Sequence, residues 1–174
     1  MPKYEHLARA IRDVPDFPKQ GILFKDITTL IIKPELFREI IDIFTGQYRD
    51  KGVEKVVAIE ARGYLIASAL AYRLGAGIVP IRKPGKLPAE TVSETYELEY
   101  GTDSIEIHRD GLSKGDRVLL VDDLLATGGT AAAACKLIRG RQARILGVAF
   151  LVELDFLEGR KRLEEVDIFS IVHF

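Results

Sequence analysis

Five apolar runs, VEKVVAIE, IVPI, VLLV, RILGVAFLVEL and VDIFSIV, punctuate this chain, and most are separated by segments of helical periodicity. Short runs rich in Val and Ile are strands buried on both faces, and strand-helix-strand units close as parallel sheets with helices on either side. The expected fold is therefore α/β, a mostly parallel central sheet flanked by helices. EHLARAI predicts a first helix, stopped by the prolines of DVPDFP. Leu36, Phe37, Ile40, Ile41, Phe44 and Tyr48 then share one face of a helix starting near Glu35 and closing near Gly52. ARGYLIASALAYRL predicts another, ending at Gly75 and Gly77. Two more follow, one from about residue 130 and one near 155–163.

One stretch, about 82–110, breaks the alternation. SETYELEY and DSIEIH alternate with period two around Gly101-Thr102, which predicts an inserted hairpin with a two-residue loop of type II′. Tyr96, Leu98 and Tyr100 would fall on one face, Glu97 and Glu99 on the other. The preceding RKPGKLPAE loop carries Arg82, Lys83 and Lys86 against the single acid Glu90, so hairpin and loop together suit a lid over an anionic ligand.

At 174 residues the chain is expected to form a single domain, 1–174. Its 25 Lys and Arg against 26 Asp and Glu offer no broad basic field for nucleic acid or a membrane surface. With Cys135 alone there is no internal disulfide framework, and His6, His108 and His173 lack metal-ligand spacing. The N-terminus has no apolar signal core and no run reaches the ~18 apolar residues of a membrane span. A cytoplasmic, reducing setting is the expectation.

Ligands of open α/β sheets bind beyond the carboxyl ends of the strands. There stand Glu60 and Arg62, Arg82 and Lys83, and Asp122 and Asp123. In VLLVDDLLATGGT the strand runs into two acids and then a Thr127-Gly128-Gly129-Thr130 turn that opens a helix. A helix start exposes backbone N–H groups and a partial positive charge, glycines let a ligand approach closely, and threonine hydroxyls donate further bonds. This turn is a phosphate seat without the GxxxxGK[ST] or GxGxxG patterns. Adjacent carboxylates upstream suit the vicinal hydroxyls of a ribose. Ribose 5-phosphate fits the whole stretch, while a receiver-like acidic pocket for Mg²⁺ or simple helix caps remain alternatives.

VLLVDDLLATGGT resembles the phosphoribosyl pyrophosphate (PRPP) signature of the type I phosphoribosyltransferases. DFPKQGILFKDIT, IEARGY, IRKPGKLPAET, ETYELEYGTD and LVELDFLEGRKRL are similar, in order and spacing, to blocks of the adenine phosphoribosyltransferases. The resemblance implies the type I phosphoribosyltransferase fold with a β-hairpin lid, a base-recognition segment at about 1–34, a homodimer, and a reaction in which adenine and PRPP give AMP and pyrophosphate with Mg²⁺. It implies that Ala126, Thr127, Gly128, Gly129 and Thr130 hold the 5-phosphate, Asp122 and Asp123 the ribose hydroxyls, and Arg62 and Lys83 the pyrophosphate. Glu99 would exchange a proton with the adenine imidazole ring. Leu23, Phe24 and Lys25 would read the base, Leu124 and Leu154 would pack on it, and Tyr100 would close with the lid. Mg²⁺ would be held mainly by substrate oxygens and water, so its protein ligands stay unassigned.

Two positions depart from the pattern. Gln20 stands where proline is frequent, which questions the stiffness of the base loop, and LIRGRQARILG lacks a glycine-rich turn between helix and strand. A transferase for another purine base, and a PRPP-sensing regulator without chemistry, are the alternative readings.

Overall fold

In the computed structural model, which describes residues 3–97, 101–163 and 165–174, all five apolar runs are strands of one sheet. In chain order the elements are α1 (Glu5–Ala10), β1 (Arg12–Pro15), β2 (Leu23–Asp26), α2 (Thr28–Ile31), α3 (Pro34–Tyr48), β3 (Lys55–Ile59), α4 (Gly63–Leu74), β4 (Gly77–Arg82), β5 (Thr91–Glu97), β6 (Thr102–His108), β7 (Arg117–Leu125), α5 (Gly129–Gly140), β8 (Arg144–Glu153) and β9 (Ile168–His173). The main sheet has seven strands in the order β5-β6-β4-β3-β7-β8-β9. Strands β4 to β9 across that order are parallel, and β6 and β5 extend the edge antiparallel.

Both faces are covered, which explains why the runs are apolar throughout. On β7, Leu119 and Val121 join the core beneath α1 to α4, while Val118 and Leu120 join the core beneath α5. Strand order reverses between β3 and β7: the chain leaves β3 through α4 towards β4 on one side, and leaves β7 through α5 towards β8 on the other. Such a switch point opens a crevice between two strand ends.

Several elements differ from expectation. The hairpin registers Glu97 opposite Thr102, so its loop is not the expected Gly101-Thr102 pair. Thr102 is β-branched and joins the ladder, leaving Gly101, at φ +87, in the turn. Nor is the hairpin a detached flap at its base. Ile81 pairs with Ile107, and Ile105 and Ile107 are buried in the α5-side core. The helix expected near 155–163 is instead two 3-10 turns, Asp155–Leu157 and Gly159–Arg162, interrupted at Glu158, whose φ of +50 cannot continue a right-handed helix.

The β1-β2 pair was not foreseen. Four-residue strands containing or flanked by proline carry too little alternation to register as strands. Strand β7 also outruns its apolar signal, because Asp122 pairs with Phe150 and Leu124 with Val152 of the long β8. After α5, Gln142 takes the left-handed conformation at φ +57 that glycine would ordinarily supply, and the chain turns into β8 without one.

Candidate active site at the switch point

The site is assembled by the close packing of α4 on β7. A Cβ on Gly63 would stand 2.7 Å from Asp122 Oδ1 and 3.2 Å from Asp122 Cα, so only glycine lets the start of α4 press against the strand there. Asp122 Oδ1 accepts the Asp123 N–H at 2.8 Å, and Asp123 is 5% exposed. Arg62, just before α4, brings its Nε to 2.8 Å from Asp123 Oδ2. That approach is an ion pair but not a well-aligned hydrogen bond, because Asp123 Oδ2 and Arg62 Nη1 are both buried without hydrogen-bond partners among the described residues. The Arg62 guanidinium also lies 4.6 Å from the centre of the Phe24 ring. Where the resemblance put Arg62 at the pyrophosphate, its side chain here bridges the aspartate pair and the base segment.

Burial, and then the charge of its neighbour, push the Asp122 carboxyl well above the ordinary carboxylate range. Burial also raises Asp123, against the opposing charge of Arg62. A group whose native pKa is raised binds more protons folded than unfolded, so its ionisation weakens the fold as pH climbs above the ordinary carboxylate range. Asp122→Asn keeps an oxygen for the Asp123 N–H and removes the charge. The expected result is a higher thermal midpoint than the parent at pH 7, the gain shrinking towards pH 4. A constant or reversed difference across that range would contradict the assignment.

On the other side of β3, Glu60 anchors the basic loop. Its carboxylate accepts the Lys83 N–H at 2.5 Å and Arg82 Nε at 2.9 Å, with Lys86 at 3.3 Å. Burial opposes its charge, but these donors win and hold Glu60 below the usual range. The sequence marked Glu60 by position; its role as the backbone anchor of Lys83 comes from the structure. The Lys83 side chain reaches Asp103 on β6, with which it forms an ion pair.

The turn expected to seat a phosphate lies at the start of α5. Gly128 caps the helix in the left-handed conformation, φ +82, no side chain caps its first N–H groups, and the first turn contains no acid. A Cβ on Gly128 would lie 2.4 Å from the Gly159 carbonyl oxygen, and one on Gly159 would lie 2.2 Å from that of Ala126. Gly159 is thus a second glycine demanded by the turn, contributed from the distant 3-10 segment. Ala126 and Thr127 are half-buried, and the Thr130 hydroxyl donates to the Tyr96 oxygen at 3.1 Å.

In the base segment Leu23 is 49% exposed, and Phe24 packs edge-on to Phe17 with ring centres 5.0 Å apart. The Lys25 ammonium is engaged away from the rim, 2.6 Å from Asp13 and 3.7 Å from the centre of the Phe174 ring. Gln20 does not leave this loop unsupported. Gly21 N–H donates to Asp16 Oδ1 at 2.7 Å and Phe17 N–H to the Ile22 carbonyl at 3.3 Å. Leu154 is buried in the core on the α4 side and Leu124 packs against the same core. Glu99, with Leu98 and Tyr100, lies outside the described residues.

Away from this rim, Glu153, Asp155 and His173 place donor atoms within 4.8 Å of one another. Arg160 Nη2 at 2.8 Å and Ser170 Oγ at 2.5 Å already engage Glu153, so the group is an ion-pair cluster. Among the described residues no helix is long and apolar enough to cross a membrane.

Residues 27–173 match the phosphoribosyl transferase domain family. The chain is 54% identical to an adenine phosphoribosyltransferase of Trichlorobacter lovleyi, covering 98% of this chain and 99% of the relative. It is 55% identical to that of Citrifermentans bemidjiense with the same coverage. Its fold is similar to the crystal structure of adenine phosphoribosyltransferase from Thermoanaerobacter pseudethanolicus, with TM-score 0.95, 50% identity and coverage of 98% of this chain and 99% of that one. It is similar also to the Saccharomyces cerevisiae enzyme complexed with adenine and an imino-altritol bisphosphate, with TM-score 0.90, 41% identity and coverage of 96% and 97%. Full-length identity above half, a shared fold and the switch-point site together establish that this chain belongs to the adenine phosphoribosyltransferases.

Proposed function

We propose that this protein transfers the 5-phosphoribosyl group of PRPP to adenine, forming the bond from the base nitrogen to the anomeric carbon as the bond to pyrophosphate breaks. The observation that carries the reading is the continuity of the rim. The uncapped start of α5, the half-buried Asp122 with buried Asp123, Arg62 and Phe24 follow one another from a phosphate seat to an aromatic surface. The full-length relatives, which are adenine phosphoribosyltransferases, and the adenine-bound yeast structure support the same base.

In this reading backbone N–H groups of Ala126 to Thr130 hold the 5-phosphate, and Asp122 and Asp123 accept the ribose hydroxyls. The buried Asp123 Oδ2 without a hydrogen-bond partner is the acceptor such a hydroxyl would meet. Lys83, anchored through its backbone to Glu60, faces the leaving pyrophosphate, with Arg62 adding charge between it and the base. Leu23, Phe24, Leu124 and Leu154 form apolar walls for adenine, and the Lys25 backbone reads its edge. Glu99 moves a proton to or from the imidazole ring. Preorganised charge supplies most of the rate, since positive charge builds on the ribose as pyrophosphate departs.

Mg²⁺ belongs to this proposal. The oxygen-rich Asp122-Asp123 pair fits a hard cation's bound waters, and the ion, riding on PRPP oxygens, would neutralise the leaving group. So do the homodimer, for which exposed Ile32 and Tyr72 offer apolar surface, and the cytoplasm, which suits the buried free thiol of Cys135.

The test is a release assay with PRPP and Mg²⁺ and, separately, adenine, hypoxanthine, guanine, xanthine or orotate. Equimolar AMP and pyrophosphate from adenine alone is the expected result; product from another base overturns the adenine pocket, and none from any base favours a PRPP-sensing regulator. Asp123→Asn should raise the KM for PRPP about ten- to hundredfold, the scale of a lost hydrogen bond to a charged acceptor. An unchanged KM removes Asp123 from the ribose site.

A further inference from the structure

Asp103, near the start of β6, lies between two groups assigned above to opposite ends of PRPP. Its Oδ2 pairs with the Lys83 ammonium and accepts the Tyr96 hydroxyl at 3.2 Å, while the Tyr96 oxygen accepts the Thr130 hydroxyl at 3.1 Å. Proton counting fixes the direction of this chain. An ionised carboxylate only accepts, so the single Tyr96 proton goes to Asp103. Tyr96 must then receive the single Thr130 proton, which leaves that hydroxyl none to offer a phosphate. Asp103 is held ionised: burial opposes its charge, but Lys83, the Ser104 N–H at 2.8 Å and Tyr96 keep its carboxyl below the usual range.

We propose that Asp103 and Tyr96 are positioning residues that occupy the anion-binding groups at both ends of PRPP when the protein is free of ligand. The Asp103 carboxylate stands in for pyrophosphate at Lys83 and, through Tyr96, keeps the Thr130 hydroxyl turned from the 5-phosphate seat. Substrate enters by exchanging with this hairpin carboxylate, which ties filling of the site to movement of the hairpin edge against α5. The inference rests on the phosphate-seat and Lys83 assignments above; Tyr96 and Asp103 lie inside the ETYELEYGTD block, but the resemblance gives neither a role.

Calorimetric titration with ribose 5-phosphate alone and with pyrophosphate alone separates the two arms. Tyr96→Phe frees the Thr130 proton and leaves Asp103 on Lys83, so it should tighten ribose 5-phosphate about fivefold, the effect of one net hydrogen bond, without altering pyrophosphate. Asp103→Asn keeps an acceptor for Tyr96 but removes the charge on Lys83, so pyrophosphate alone should tighten. Asp103→Ala removes both functions, and both ligands should tighten; Asp103→Glu should stay near the parent.

A merely structural role would weaken both ligands or change neither, in every variant, and either pattern overturns the proposal. Thermal unfolding of each variant identifies misfolding, and Tyr96→Phe, the mildest change, decides the Thr130 arm by itself. Thr130→Ala checks the reading beneath. If it leaves ribose 5-phosphate affinity untouched in both the parent and the Tyr96→Phe background, the seat is elsewhere and the Thr130 arm falls with it, while the pyrophosphate result still decides Asp103 on Lys83.

Discussion

Gly128→Val is expected to reduce AMP formation by more than ~10²-fold, the scale of a lost preorganised donor set, while leaving a folded protein of lower thermal midpoint. Two independent constraints act at this position. Its φ of +82 is hostile to a β-branched side chain, at a cost of about 1–3 kcal/mol. Its Cβ would also stand 2.4 Å from the Gly159 carbonyl oxygen, so the turn and the 3-10 segment must separate. Separation moves the N–H groups of the phosphate seat out of register with one another. A domain of ordinary stability, ~5–15 kcal/mol, survives a loss of this size. Titration with ribose 5-phosphate and a thermal melt on the same preparation decide the matter: a folded variant that still binds the sugar phosphate with parental affinity places the seat somewhere other than the start of α5.

Glu99→Gln carries the second large effect. A glutamate exchanging a proton with the base contributes about 10²–10⁴-fold to turnover, and glutamine keeps its size and hydrogen-bonding reach while losing the exchangeable proton. The expected signature is a fall in kcat of that order with the KM for PRPP within about threefold of the parent. The pH profile of kcat should also lose the limb that reports the glutamate. Parental turnover would return Glu99 to the polar face of a two-faced hairpin, equivalent to Glu97. A parallel rise in KM would assign it to substrate binding.

Part of the candidate site was legible because its residues are local in sequence. Asp122 to Thr130 lie on one strand-turn-helix unit, which the order of residue types there predicts. Gly75 ends α4 in the left-handed conformation that its place after a helical run suggests. The 155–163 segment was misjudged for a physical reason. Its composition permits a helix, but Gly159 must pack against Ala126 and Gly128, a demand from more than 30 residues away that breaks the segment at Glu158. Similarly, Gly63 reads as an ordinary helix start until its distance to Asp122 is known. The β1-β2 pair is held largely by contacts across the chain, including the bond from Arg12 Nη2 to Asp26 at 2.5 Å, rather than by an alternating pattern.

The sequence by itself determined the α/β class, the buried strands, the helices of strong period and the Thr127-Gly128-Gly129-Thr130 turn into α5, because each depends on backbone propensity and burial patterns within a few residues. Tertiary structure alone decided which charges meet. Arg62 sits between Asp123 and Phe24, Glu60 carries the backbone of Lys83, and Asp103 reaches both Lys83 and, through Tyr96, Thr130. These partners come from different strand ends, and ion pairs and hydrogen bonds act over only a few ångströms. Their existence therefore depends on the strand order that places β3 between β4 and β7, which no local periodicity encodes.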